Sequence, residues 1–159
     1  MDLDLNGKVA VVTGGSKGIG YAAAYLLVRE GATVVIAARR ESALAEASAE
    51  IERETGRTVD TFAMDVAKIA DLDRFTGWLT DRHGRADILI NNAGTGTYKP
   101  FLEVTDDELQ YGMAINFFAQ FRLSQRLVPM MIEAGGGAIV NVAGRTAYQT
   151  ANPPGSTCT

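Results

Sequence analysis

Lys8 to Gly20 reads KVAVVTGGSKGIG, and the order of residue types within it decides the fold. KVAVVT is a short apolar, β-branched run that stops at a glycine pair, the pattern of a strand buried on both faces. GIGYAAAYLLVREG, Gly18 to Gly31, follows as a helix with Gly31 as its C-cap. Between strand and helix the glycines fall at Gly14, Gly18 and Gly20, a G-x-x-x-G-x-G spacing. This is not the G-x-G-x-x-G of the usual dinucleotide fingerprint, but the physics is shared. Glycine permits a sharp turn and a close approach of backbone to a pyrophosphate. The N–H groups and dipole of the helix that begins near Gly18 then favour the anion. Ser16 adds a hydroxyl donor, Lys17 a positive charge, and Ile19 sits between the last two glycines. The stretch predicts a nucleotide-phosphate site; a plain strand–helix turn is the competing reading.

The same alternation runs outward along the chain. TVVIAA (Thr33 to Ala38) is a second strand, and Glu41 to Glu54, rich in Ala, Glu and Leu, is a helix. TVDTFAMD (Thr58 to Asp65) reads as a third strand, Ile69 to His83 as an amphipathic helix, and ADILINNAG (Ala86 to Gly94) as a fourth strand ending in a turn. TDDEL at Thr105 is a helix start with acidic residues in its first turn. That helix is expected to run to about Ala134, where Gly135 to Gly137 end it, before a fifth strand, AIVNVA (Ala138 to Ala143). Five strands alternating with helices predict an α/β fold, a doubly wound parallel sheet with helices on both faces, in a single domain spanning residues 1–159. No element closes the edge beyond the fifth strand. The expectation is therefore an incomplete fold, either cut short or continuing past Thr159.

Composition narrows the function. A net charge of −4 with both signs spread along the chain lacks the basic stripe of a nucleic-acid binder. No segment approaches the roughly 20 apolar residues of a membrane span. The N-terminus, MDLDLNGK, has no signal-peptide apolar run, and Cys158 is the only cysteine. A cytoplasmic protein without nucleic-acid or membrane partners is expected. One histidine and one cysteine cannot build a conventional zinc site, so no metal is expected. His83, in DRHGRAD, reads as a solvated helix end.

The second strand selects the nucleotide. An acidic residue about 20 positions beyond the glycines would bind an NAD ribose. Here the strand ends Ala38-Arg39-Arg40. No carboxylate stands there to repel a 2′-phosphate, and two guanidiniums are available to bind it. With Lys17, they predict NADP(H) over NAD(H), against the alternative of two solvated surface arginines.

These segments together resemble the short-chain dehydrogenase/reductase family. The resemblance is carried by TGGSKGIG (Thr13 to Gly20), Asp65-Val66 after the third strand and NNAG (Asn91 to Gly94). Asn116 in MAINFFAQF and IVNVA (Ile139 to Ala143) continue it, in the family's order over almost the whole chain. The resemblance implies a Rossmann-like fold and hydride transfer between NADP(H) and a small carbonyl or alcohol. It implies that Asp65 holds the adenine amino group with Val66 beside the ring, and that Asn92, Ala93 and Gly94 line the cofactor. Asn116 is implied as the active-site asparagine supporting a proton-relay water. From the residues alone, Asp65 could equally cap the helix that follows it, and Asn116 could make a structural mid-helix hydrogen bond.

The family pattern also implies a serine, a tyrosine and a lysine, the lysine lowering the tyrosine's pKa so that a phenol of pKa ~10 can move a proton near neutral pH. Aligning IVNVAG places Gly144 at the serine position and Thr157 at the tyrosine position, and the lysine would fall beyond Thr159. Tyr148 is a substitute phenol without a lysine in register, and a ring packed under Pro153-Pro154 is the plainer reading of it; Ser156 is a weak orienting hydroxyl. Two functions remain open at this point. One is an oxidoreductase with atypical or further downstream catalytic residues; the other is a catalytically inactive NADP(H)-binding module acting as sensor or partner subunit. Phe117, Phe118, Phe121 and Leu127 on the long helix suggest a homo-oligomer, as the equivalent helix does in the family; packing on their own sheet is the alternative.

Overall fold

β1 (Val9–Thr13) is buried along all five residues and pairs with a strand on each side, β2 (Thr33–Ala38) and β4 (Ile88–Asn91). β3 (Asp60–Ala63) pairs with β2, and β5 (Ala138–Asn141) with β4. All four pairings are parallel, in the order β3-β2-β1-β4-β5. The computed structural model describes residues 3–97 and 99–144. Tyr148, Asn152, Pro153, Pro154, Ser156, Thr157 and Cys158 lie outside the described residues.

The two-residue period of a strand distributes β1 between two cores. Val9 and Val11 join Leu72, Phe75, Leu79, Leu123 and Leu127, contributed by α3 (Ile69–His83) and α5 (Ala119–Glu133). Ala10 and Val12 join Ala24, Val28, Leu44 and Ile51 from α1 (Gly18–Arg29) and α2 (Glu41–Thr55). Each fully buried Leu, Ile or Phe contributes roughly 1.5–3 kcal/mol of transfer free energy. The run of small and β-branched residues in VAVVT is thus what a strand covered on both sides requires. Gly31 adopts φ 100° just beyond α1, as its C-terminal position requires.

One carboxylate ties the strand starts together. Asp87, 3% exposed, accepts the Val9 N–H at 2.9 Å and two hydrogen bonds from Arg85 at 2.8 and 2.6 Å. Lys8 Nζ lies at 3.5 Å. Burial pushes the Asp87 pKa up, but the Arg85 and Val9 hydrogen bonds and the Arg85 and Lys8 charges outweigh it, leaving the carboxyl below its ordinary value.

Three expectations need correction. β2 has its expected bounds, but the other four strands are shorter than the apolar runs suggested, because pairing covers only the register shared with a neighbour, and β3 keeps Asp60–Ala63 of the expected Thr58 to Asp65. The long helix is not regular. α4 (Asp106–Met113) starts at Thr105 with a reciprocal capping box to Glu108, then passes through a π-helical turn at Ala114–Phe118 before α5. His83 is not solvated. Its side chain is 12% exposed, with Nε2 2.9 Å from Asp60 Oδ2 and its ring edge-on to Trp78. The end of α3 packs over the start of β3, where Arg82 also bonds Asp60 at 3.0 Å. No described helix is long and apolar enough to cross a membrane.

Candidate functional site: a cleft at the carboxyl ends of the strands

β1 is where the strand order reverses, since the chain runs outward from it to β2 and β3 on one side and to β4 and β5 on the other. In open parallel sheets the crevice beyond such a point is where ligands bind. A cleft of about 850 Å³ opens there. Twelve of the thirteen residues singled out for the cofactor line it: Gly14, Ser16, Lys17, Gly18, Ile19, Arg39, Arg40, Asp65, Val66, Asn92, Ala93 and Gly94. The sheet register accounts for this, because each of these residues follows the end of β1, β2, β3 or β4.

Gly20 is the thirteenth, and it serves the site from beneath. It is buried in the first turn of α1. A Cβ there would run into the Gly14 carbonyl oxygen and Asn92 Nδ2, so glycine lets the helix sit against the turn. Gly14 and Gly18 have φ of 66° and 59°, where side chains are strained. The space beside Gly18 is open, which leaves its backbone approachable by a phosphate. Gly15 was not anticipated. A Cβ there would lie 2.8 Å from Ile36 Cβ and Cγ2, and the only sequence signal was the Gly14-Gly15 doublet.

Thr13 is the larger omission. Its Oγ1 accepts the backbone N–H groups of both Asn92 and Ala93 at 3.0 Å and donates to the Ile90 carbonyl at 3.4 Å. Asn92 returns the contact, its Nδ2 donating to the Thr13 and Gly14 carbonyls at 3.0 and 3.3 Å. The ends of β1 and β4 are therefore laced at the floor of the cleft. A hydroxyl closing an otherwise apolar strand was the available clue. Next to it, Asn91 Nδ2 donates to Asn141 Oδ1 at 2.9 Å and to Ser124 Oγ at 3.2 Å, which carries the lacing on to β5 and α5.

Asn116 sits in the π-helical turn. Its Oδ1 accepts the Thr95 N–H at 2.9 Å and its Nδ2 donates to the Thr95 carbonyl at 2.7 Å. The carboxamide thus acts as a backbone mimic that holds the strand-four loop. π-turns occur often at functional sites, and nothing in the helical periodicity of MAINFFAQF announced this one. Thr95 and Ile115 line the cleft beside it. Asp65 does not cap α3, whose N-cap is Lys68. Its Oδ1 accepts the Ala67 N–H at 3.0 Å and its own N–H donates to Asp71 Oδ2 at 2.8 Å, which holds the loop after β3 at the cleft wall.

The cationic rim is unequal. Arg39 Nη1 donates to the Tyr111 hydroxyl of α4 at 3.0 Å. Among the described residues, the Lys17 and Arg40 side chains have no hydrogen-bond or ion-pair partner. Among those residues no cluster of histidine, cysteine, aspartate or glutamate could hold a metal ion. A glycine turn with open backbone, a cleft of dinucleotide size and cations without carboxylates at the β2 end all fit an NADP-type cofactor.

The family model for short chain dehydrogenase matches residues 8–153. The chain belongs to the short-chain dehydrogenase family. Among its relatives, a sorbitol dehydrogenase from Cereibacter sphaeroides is 39% identical over 140 residues, covering 87% of this chain and 53% of that protein. A D-threitol dehydrogenase from Mycolicibacterium smegmatis is 35% identical over 146 residues, 92% of this chain and 56% of that protein. The crystal structure of L-sorbose reductase from Gluconobacter frateurii, complexed with NADPH and L-sorbose, superposes with a TM-score of 0.89 at 40% identity, over 94% of this chain and 57% of that one. The chain thus spans a little over half the length of these short-chain dehydrogenases. The Rossmann-like parallel sheet expected from the sequence is the fold they share. Gly144, which the alignment of IVNVAG expects at the family's serine position, is the last described residue; the positions compared with tyrosine and lysine lie outside the described part.

Proposed function

We propose that the protein is an NADP(H)-dependent oxidoreductase that reduces a small carbonyl or oxidises the corresponding alcohol. The observation that carries this reading is the coincidence of twelve of the thirteen anticipated cofactor residues in one cleft at the strand-order reversal. Several related structures hold NADP or NADPH, which supports the same cofactor here. In this reading residues 1–159 form one nucleotide-binding domain. The turn Gly14–Gly20 with Ser16 and Lys17 holds the pyrophosphate, Arg39 and Arg40 the 2′-phosphate, and Asp65 and Val66 the adenine. Asn92, Ala93 and Gly94 line the nicotinamide half, and bound NADPH supplies a hydride. Asn116 fixes Thr95 beside that half, so that the loop presents a constant backbone to the cofactor. The inactive-module alternative has no support among relatives named for dehydrogenase and reductase activities.

The relatives named for sorbitol, threitol and sorbose make polyols and ketoses the first substrates to try. Fluorescence titration with NADPH and NADH, followed by NADPH oxidation with a panel of ketoses and other carbonyls, tests the reading. Equal affinity for both cofactors would remove the NADP assignment, and absence of turnover across the panel would remove the activity.

A cytoplasmic location is proposed alongside this reading. Phe117, Phe118 and Phe121 are 55%, 40% and 61% exposed, whereas Leu127 is in the core. Three of the four expected residues therefore form an uncovered apolar face, and a second copy of the chain is proposed to cover it. A monomeric mass in light scattering would rule that out.

A further inference from the structure

Three cations stand at the cleft, and they are not held alike. Lys17 and Arg40 make no side-chain hydrogen bond or ion pair among the described residues. Arg39 alone is tied down, and its tether lies outside the cofactor motifs: the Tyr111 hydroxyl, 72 positions along the chain, 3.0 Å from Nη1. Tyr111 is not part of the cleft lining. It projects from α4, whose start is fixed independently by the Thr105–Glu108 capping box and by the Lys99–Glu108 ion pair. The tether is thus attached to a braced helix.

We infer that Tyr111 is a positioning residue for cofactor selectivity, its hydroxyl fixing the Arg39 guanidinium at the adenine end of the cleft. This rests on the NADP(H) reading above. A guanidinium on a long, exposed side chain loses rotamer freedom when it grips a phosphate. Donating one hydrogen bond from Nη1 to the Tyr111 hydroxyl leaves the Nε–Nη2 edge, the fork that binds two phosphate oxygens, free while restricting how the guanidinium can turn. NADH has no 2′-phosphate, so its binding gains nothing from that orientation. The consequence is a selectivity effect and not a general one.

The experiment uses Tyr111→Phe, which keeps the ring and removes only the oxygen, with NADPH and NADH affinities read by fluorescence titration. Losing the equivalent of one hydrogen bond should weaken NADPH about fivefold and leave NADH unchanged. In an Arg39→Ala background the same substitution should have no further effect on NADPH, because the group it orients is gone. If wild type prefers NADPH and Tyr111→Phe changes neither affinity, or weakens both equally, the inference is overturned while the cofactor reading stands. If wild type itself binds NADH and NADPH alike, the cofactor reading fails, and the inference with it.

Discussion

Replacing Thr13 with valine tests the floor of the cleft, because it exchanges one hydroxyl for a methyl of nearly the same shape. Thr13 is 2% exposed, and its oxygen is the acceptor for two backbone N–H groups at 3.0 Å. Valine leaves both donors without that partner and removes the longer bond to Ile90. Each lost hydrogen bond costs about 1 kcal/mol net, and a poorly solvated donor left behind adds about as much again. The expected destabilisation is roughly 2–4 kcal/mol, a large part of the 5–15 kcal/mol that typically separates folded from unfolded chains. Urea denaturation followed through Trp78, the only tryptophan, should show the midpoint falling by about 1–2 M for an ordinary slope. Thr13→Ser keeps the oxygen and should recover most of the loss. Because Asn92 and Ala93 lead directly into the cofactor wall, NADPH affinity should fall with valine and not with serine. A valine variant within about 0.5 kcal/mol of wild type, the usual range of an inconsequential substitution, would refute the argument that this hydroxyl laces β1 to β4.

Other substitutions probe separate parts of the structure. Gly20→Ala forces a Cβ against the Gly14 carbonyl, an overpacking of about 1–3 kcal/mol, and should weaken NADPH binding about tenfold by calorimetry. Asp87→Asn removes a buried carboxylate held by Arg85, Lys8 and the Val9 N–H and should cost about 2–3 kcal/mol at neutral pH. The folded-state pKa of Asp87 is lowered, so its stabilisation is complete above the unfolded carboxylate value of about 3.9 and is lost as pH falls through the lower folded value. Denaturation curves for wild type and variant should therefore differ by a constant amount from pH 8 to 5 and converge in acid; a gap that persists unchanged at pH 2 would contradict that assignment. Asn116→Ala deletes both hydrogen bonds to Thr95 and should speed amide exchange at Thr95 about tenfold, with a matching loss of turnover once a substrate is known.

Legibility in the sequence followed the range of the physics involved. Strand and helix order could be read because burial on both faces leaves an unbroken apolar run, as in VAVVT, and because Thr105, Gly31 and Gly135 mark helix ends through local conformational needs. The cofactor residues could be read because a phosphate turn imposes glycine within one strand–helix junction. Thr13, Tyr111 and the environment of His83 could not. Their partners are 79, 72 and 23 positions away, and no local pattern records which distant group a hydroxyl or an imidazole will meet. The π-turn was missed for a different reason. MAINFFAQF is apolar on so many sides that a regular helix fits its pattern equally well.

That π-turn has a consequence for how the segment tolerates change. The buried residues Gly112, Ile115, Ala119, Leu123 and Leu127 advance by three and then four positions at a time, and the wide turn takes up an extra residue beside Ile115, which shares the core of Leu123 and Leu127 and also lines the cleft. An extra residue at such a turn is absorbed as local width, without turning the flanking helices. Removing one residue between Ala114 and Phe118 would let the segment close into an ordinary α-helix with α4 and α5 kept in phase, because the wide turn is where the extra residue is absorbed. The residues inside the turn would shift instead: Asn116 would swing away from Thr95, and Ile115, a core residue that also lines the cleft, would be displaced with it. A more regular helix would thus be the less functional one, since the irregularity itself presents Asn116 and Ile115 to the cleft.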